Sequence, residues 1–463
     1  MHFLFVITFV LCANGCGVGN GQGTTGFDKR GGQANISETH RKEILAKRIL
    51  NDKRLDHVQN KAQELFRSKG GSFNAGSSYP ETWIRDFATF VEIALKTESK
   101  DTIKDRLLRF LDFQGEDGNI VDGYVHYLDY REQYDYIYSK TAPEYKAHKN
   151  TVETDQESSF VMAIARYIRT AGDKEILSVV KNGKTVLQRC EMALDFVRHE
   201  RFSDKYGLVK GATTIDWTDV QPEHPWGVYL TEDTHWCLDV YDNAMYVMAI
   251  DAYLDWIREN GKKYDEWSRL ADSIRSKVRK HLWDPERQKF IPHIYLNGSP
   301  FASIEGFNED AIYYFGGTVS AILAGMLNEQ EIRTAFETMI EIKKRSGSMT
   351  IAITNYPPYP EGSFKNKMVR PYIYVNSADW TWWGGRGIEA MIKTGHLDLA
   401  YQEIGPFLDR VIQNDGFYEW YSVLDHTPHG SHGFLGSAGA LEKAIVLMKA
   451  EASRILQENG GDT

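Results

Sequence analysis

Two short stretches carry residue types able to do acid–base chemistry. Thr213 to Asp219 reads T-T-I-D-W-T-D, with Asp216 and Asp219 on either side of Trp217. A carboxyl held against an indole, away from water, keeps its proton closer to neutral pH. Gly416 to Tyr421 reads G-F-Y-E-W-Y, which sets Glu419 among aromatic side chains. The pairing expected from these stretches is Asp219 facing Glu419 across a sugar. The bland readings are an N-terminal helix cap for the aspartates and a solvated surface charge for the glutamate.

Composition narrows the partners. The chain has 463 residues, 54 Lys and Arg against 64 Asp and Glu, and a net charge of −10. That balance excludes nucleic acid or an anionic membrane surface as the main partner. Aromatic residues reach 13%, including 11 Trp and 25 Tyr. They suit either a large aromatic core or a surface on which sugar rings stack.

The first residues read as a targeting segment. Phe3 to Ala13 is an apolar run of signal-peptide length, too short to span a bilayer, followed by Asn14-Gly15-Cys16. This resembles a bacterial lipoprotein signal with Cys16 as the lipidated residue, although Ala13 stands where leucine is usual and no Lys or Arg precedes the run. The expected organisation is a signal peptide at 1–16, a flexible linker at 17–38 and a catalytic domain at 39–463. Export to the periplasm, or to the outer membrane or surface as a lipoprotein, follows from that reading. Beyond Cys12 and Cys16, Cys190 and Cys237 read as buried free thiols.

Positioning residues 216, 219 and 419 requires a scaffold, and apolar spacing of three and four predicts helices almost throughout. They run at about 39–68, 83–96, 101–112, 155–171, 175–198, 238–259, 264–281, 308–325, 328–345, 382–394, 397–414 and 434–457. Short connections such as Thr97-Glu98-Ser99-Lys100 alternate with long ones, at 69–82, 113–154, 199–237, 282–307, 346–381 and 415–433. Short turns make antiparallel helix pairs, so every long loop emerges at one end. Six such hairpins close into an all-α, single-domain (α/α)6 toroid. The helix after each long loop forms the inner ring, where Gly384, Gly385, Ser437, Ala438 and Gly439 suit close packing. The loop 113–154, rich in tyrosine, reads as a wall or lid.

On these residues the chain resembles the six-hairpin, (α/α)6-toroid glycoside hydrolases, in particular the trehalase, processing α-glucosidase and glycogen-debranching group. The similarity spreads from about Ser78 to Met448. W-I-R-D at 83–86 is similar to the stretch whose Arg85 and Asp86 grip sugar hydroxyls. D-W-T-D at 216–219 is similar to the stretch whose last aspartate, Asp219, is the proton donor, which by the same match leaves Asp216 as a supporting group or alternative acid. Glu419 matches the glutamate that activates water. N-S-A-D-W-T-W-W-G-G-R at 376–386 supplies Trp380, Trp382 and Trp383 as stacking residues. Trp83, Asp155, Trp217, Glu305, Tyr418 and Trp420 complete the expected sugar-binding set.

The resemblance implies an inverting cleavage of an α-gluco-configured glycosidic bond, with the two carboxyls about 6.5–9.5 Å apart. It implies no cofactor, an oligosaccharide or glycoside as partner, membrane contact only through the lipid anchor, and a monomer. The histidines in D-H-T-P-H-G-S-H at 425–432 lack a fixed face, so no metal is expected there. Three alternatives stand beside the hydrolase: a phosphorylase on the same toroid, an epimerase or unsaturated-uronide hydrolase, and an exported sugar-binding lipoprotein without catalysis.

Overall fold

The computed structural model describes residues 37–129, 131 and 134–460, with side chains described through residue 458. The signal-like segment, Cys12, Cys16 and the linker up to residue 36 lie outside the described residues. Among those described, no helix is long and apolar enough to cross a membrane.

Thirteen helices are present among the described residues. The first six are α1 (Glu38–Asn51), α2 (Lys53–Ser68), α3 (Ile84–Thr97), α4 (Lys100–Arg109), α5 (Gln156–Ala171) and α6 (Val186–Glu200). Then come α7 (Val240–Ile257), α8 (Gly261–His281), α9 (Phe315–Leu323) and α10 (Glu329–Ser346). The last three are α11 (Thr381–Lys393), α12 (Leu397–Gln413) and α13 (Leu435–Gly460).

Helices α3, α5, α7, α9, α11 and α13 pack each against the next, and α13 returns to α3, which closes a ring. Helices α4, α6, α8, α10 and α12 each lie outside the ring against the inner helix that precedes them. Helices α1 and α2 cover α13. Every inner helix therefore follows a long connection. The inner ones are buried nearly all round, as the core of a toroid requires. Close packing there has a direct signature: a Cβ on Gly384 would collide with the Phe407 ring, and one on Gly385 with the Ala440 backbone.

Four expectations need correction. The fold is not strictly all-α: the described residues include seven small antiparallel sheets, six in the long loops and one, pairing 180–181 with 184–185, between α5 and α6. The largest orders its strands 82–83, 123–126, 145–148 and 137–138. Strands of two to five residues are too short to show alternation in the sequence. Second, the helix expected at 39–68 breaks at Asp52, whose extended backbone starts α2 and whose carboxylate accepts from the Arg54 backbone N–H. Third, 175–198 is not one helix. Asn182 and Gly183 both have positive φ, at 48° and 77°, and turn a tight hairpin before α6 begins at a Thr185–Gln188 capping box. Fourth, α9 begins at Phe315 rather than near 308, because Glu309 is drawn into hydrogen bonds from Tyr295 and Tyr359.

Candidate active site

The long loops converge on one cavity of about 550 Å³ at the mouth of the ring. Asp219 and Glu419, remote in sequence, both line it.

The acid loop is held from below by its own first aspartate. Asp216 takes a left-handed backbone, φ 56°. Its carboxylate accepts from the backbone N–H groups of Gly316 and Gly317, at 2.6 Å each, and so caps α9. Glycine is required at both positions, since a Cβ at 316 would strike the Trp217 ring and one at 317 would strike Val240. Trp217 anchors the loop a second time. It lies edge-on to Trp380 at 5.0 Å and to Trp382 at 5.4 Å, and stacks on Trp383 at 5.3 Å. Tyr314 donates to the Thr214 carbonyl. With Asp216 and Trp217 fixed, Asp219 is left at the cavity wall, its backbone carbonyl accepting from the Asn150 amide at 3.3 Å. No side chain among those described donates to its carboxyl, and burial pushes its pKa up.

Glu419 is held differently. It lies on the strand Tyr418–Tyr421, paired antiparallel with Pro428–His432. The register slips between Tyr418, opposite His432, and Trp420, opposite His429. The extra residue makes a bulge at Gly430, φ 71°, where a Cβ would collide with the Glu419 carboxylate. The bulge aims the Ser431 N–H at Glu419 Oε2, 2.8 Å, while Tyr79 OH donates to Oε1 at 2.9 Å. Burial and the charge of Asp219 push the Glu419 pKa up, and these two donors pull it down.

Arg85 and Asp86 open α3 on the cavity wall, but they are not a matched donor–acceptor pair for one diol. The Arg85 fork is engaged by Asp155, with Nε at 2.9 Å and Nη2 at 2.6 Å, and Nη1 pairs with Glu153 at 3.1 Å. Asp86 is buried and its Oδ1 has no partner among the described residues. Burial, eased by Arg85 and reinforced by Glu419, pushes it up to about 7. Among the described residues, five carboxyls line the cavity, Asp86, Asp122, Glu153, Asp219 and Glu419, against two guanidiniums. The second, Arg131, is paired with Glu81 at 3.0 Å.

Of the remaining sequence-derived residues, Trp83, Trp217, Trp380, Trp382 and Trp420 line the cavity with Arg85 and Asp86. Five do not. Asp216 is spent on the α9 cap. Asp155 sits behind Arg85 and also accepts from Tyr241 OH. Trp383 lies behind Trp217, under the Arg386 guanidinium. Tyr418 packs on His432. Glu305 lies in an exposed turn. The wall also includes Tyr79, Asp122, Asn150, Glu153 and Trp226, which sequence reasoning did not single out, together with Tyr134 from the tyrosine-rich loop and His429 from the histidine-bearing stretch 425–432. His429 stacks on Trp420 at 4.5 Å, and among the described residues no group of His, Cys, Asp and Glu is arranged to hold a metal ion. Cys190 and Cys237 are buried and free.

A sequence profile described as "Glycosyl hydrolase 94 superfamily, catalytic domain" matches residues 84–425, a span that holds both candidate carboxyls. The chain belongs to the glycosyl hydrolase 94 superfamily. That superfamily is one of carbohydrate-active enzymes. It is 22% identical over 312 residues to the N,N'-diacetylchitobiose phosphorylase of Vibrio furnissii, a match covering 62% of the chain and 36% of that protein. The chain thus spans about a third of that relative's length. Its fold is similar to that of the GH63 mannosylglycerate hydrolase from Thermus thermophilus, solved with Tris and D-glycerate, at TM-score 0.59 and 15% identity, covering 83% of this chain and 99% of that one. A rhamnosidase from Klebsiella oxytoca, solved with rhamnose bound, aligns at TM-score 0.56 and 14% identity, over 85% of this chain and 63% of that one. These two likenesses concern the toroid alone.

Proposed function

We propose that the chain is an exported, inverting glycoside hydrolase acting on an uncharged oligosaccharide or glycoside, α-gluco-like at the bond cleaved. The observation that carries this reading is the unequal dressing of two carboxyls on one cavity. Asp219, half-buried on the cavity wall and without a side-chain donor among the described residues, keeps a proton to give to the leaving glycosidic oxygen. Glu419, given two donors, is the one that ionises and takes a proton from water attacking the anomeric carbon on the opposite face. Charge develops at that carbon as an oxocarbenium-like centre between carboxylates. The aromatic wall of Trp83, Trp380 and Trp420 suits the faces of sugar rings.

A phosphorylase is the second reading, favoured by the name of the curated relative. It needs room for a phosphate dianion where the hydrolase holds its base. Here both guanidiniums on the wall are already paired, and the carboxyls outnumber them. A phosphate would enter against that charge. Incubation with α-glucosides, α-mannosides, trehalose and N,N'-diacetylchitobiose, with and without inorganic phosphate, separates the two. The expected result is phosphate-independent release of the inverted anomer, read by NMR in the first minutes. A phosphate-dependent sugar 1-phosphate would establish the phosphorylase. Sugar binding with no product from any glycan would leave a binding protein. Export rests on residues 1–16 and is tested by locating the protein in fractionated cells and labelling Cys16 with a radiolabelled lipid.

A further inference from the structure

The cavity wall carries polar atoms that the fold leaves idle. Among the described residues, Oδ1 of Asp86 and Asp122 and the indole Nε1 of Trp83, Trp217 and Trp226 are buried without a hydrogen-bond partner, and all five residues line the cavity. A buried polar group left unpaired costs stability, and folded chains avoid it. An indole N–H only donates, while a carboxyl accepts and, when it keeps a proton, donates as well. Hydroxyl groups meet both needs. An ammonium, which only donates, leaves the indoles unpaired.

Asp122 is the member of this set with the least to do in the fold. Its backbone is locked beside the start of α3: its N–H donates to the His148 carbonyl at 3.0 Å, and its carbonyl accepts from the Ile84 N–H at 2.8 Å. The strand that follows, 123–126, pairs with Thr82 and Trp83. The side chain, 2% exposed, has only His148 Nδ1 near it as a nitrogen partner, 3.6 Å from Oδ2 and beyond hydrogen-bond reach. His148 brings no charge, because burial pulls its pKa down to about 3. Its ring lies flat on Tyr134 at 4.0 Å and edge-on to Trp83 at 5.7 Å, and Tyr134 meets Trp226 at 5.9 Å. The Arg85 fork is taken by Asp155 and Glu153. The Asp122 carboxyl therefore stands among three rings of the cavity wall, two of them with idle N–H groups.

An acid in that place is costly to desolvate and gives packing nothing in return. We infer that Asp122 is a specificity-determining residue: its carboxyl receives a hydroxyl of one sugar unit that rests on the neighbouring aromatic rings, and it selects an uncharged, hydroxylated ring at that position. The inference rests on the cavity being a sugar site and names a recognition group within it. Burial also pushes the Asp122 pKa well up, towards the form that donates as well as accepts.

The test is sugar binding and melting of D122A, with D-glucose, D-mannose, trehalose and the monodeoxy derivatives of the two monosaccharides as probes, read by tryptophan fluorescence. D122A binds the sugar that wild type prefers about tenfold or more weakly. Removing one particular hydroxyl from that sugar weakens wild-type binding by a similar factor and costs D122A nothing further, because the contact is already gone. Without sugar, D122A melts no lower than wild type, since the side chain serves nothing in the fold. Failure to fold, or a clearly lower Tm without sugar, gives Asp122 a structural role and overturns the inference. Equal affinity in the two proteins, or a deoxy penalty that is the same in both, overturns it as well. Tighter binding of D-glucosamine than of D-glucose by wild type would make the carboxyl a receptor for a cation and sink the hydroxyl assignment. If wild type binds no sugar and turns over none, the sugar reading of the cavity fails with it. Sugar binding that survives intact in D122A leaves that reading standing and removes Asp122 alone.

Discussion

The loop carrying Asp219 and the hairpin carrying Glu419 hold the same functional group by opposite means. The loop spends its neighbours, Asp216 on a helix end and Trp217 in a tryptophan cluster, and leaves the Asp219 carboxyl without a side-chain donor among the described residues. The hairpin spends a bulge and a glycine to bring a backbone N–H to Glu419, and a tyrosine hydroxyl to its other oxygen. Desolvation raises both carboxyls, Glu419 being buried and Asp219 half-buried, so it does not tell acid from base. Donors do, and acid and base roles follow from the count of hydrogen bonds to the charged form.

The sharpest way to break this comparison is to neutralise each side. D219N and E419Q should each lower kcat by about 10²–10⁴-fold. An activated leaving group, such as a nitrophenyl glycoside, should restore D219N and leave E419Q inactive. Restoration of E419Q alone would exchange the roles. Next is G430A, which places a methyl against the Glu419 carboxylate in a backbone region costing about 1–2 kcal/mol. It should lower both kcat and the denaturation midpoint, while Asp219's limb of the pH profile stays put. D216A removes two backbone-to-carboxyl hydrogen bonds from the α9 end and should destabilise the protein by about 2 kcal/mol in urea melts.

Linkage supplies a further expectation. Asp86 and Glu153 are pushed up to about 7, above their unfolded values near 4. The folded state therefore binds more protons than the unfolded one between those limits, and stability falls as pH rises from about 4 to about 7. Thermal melts should show a lower Tm at pH 8 than at pH 5, and D86N should flatten that slope. The smallest effect belongs to Y79F. Losing one donor raises the Glu419 pKa, and the acidic limb of kcat/KM should move up by a fraction of a pH unit.

The ring was legible because its signals are long. Every inner helix follows a long connection, and the glycines at 384, 385 and 439 mark where helices touch. The misread stretches are short. Asn182-Gly183 is a hairpin turn hidden inside an apolar pattern, and α9 starts late because side-chain hydrogen bonds, not periodicity, set its beginning. Of the site, residues inside aromatic clusters could be named from one stretch alone. Asp122, Asn150 and Glu153 could not, since each is an ordinary polar residue until the ring brings four loops together. Glu305 and Asp155 show the converse: acidic residues next to predicted inner helices, one exposed and the other spent behind an arginine.

The packing of α13 against α3 has a consequence in time. The ring is sealed by its first and last inner helices, so about three hundred and fifty residues separate the two faces of one seam. Contacts of that span form late in folding. A chain emerging from the ribosome carries Asp219 long before it carries Glu419, and the chamber that gives either carboxyl its proton affinity is open to water until α13 docks. The two candidate carboxyls are thus kept apart during synthesis and share one cavity only when the circle shuts.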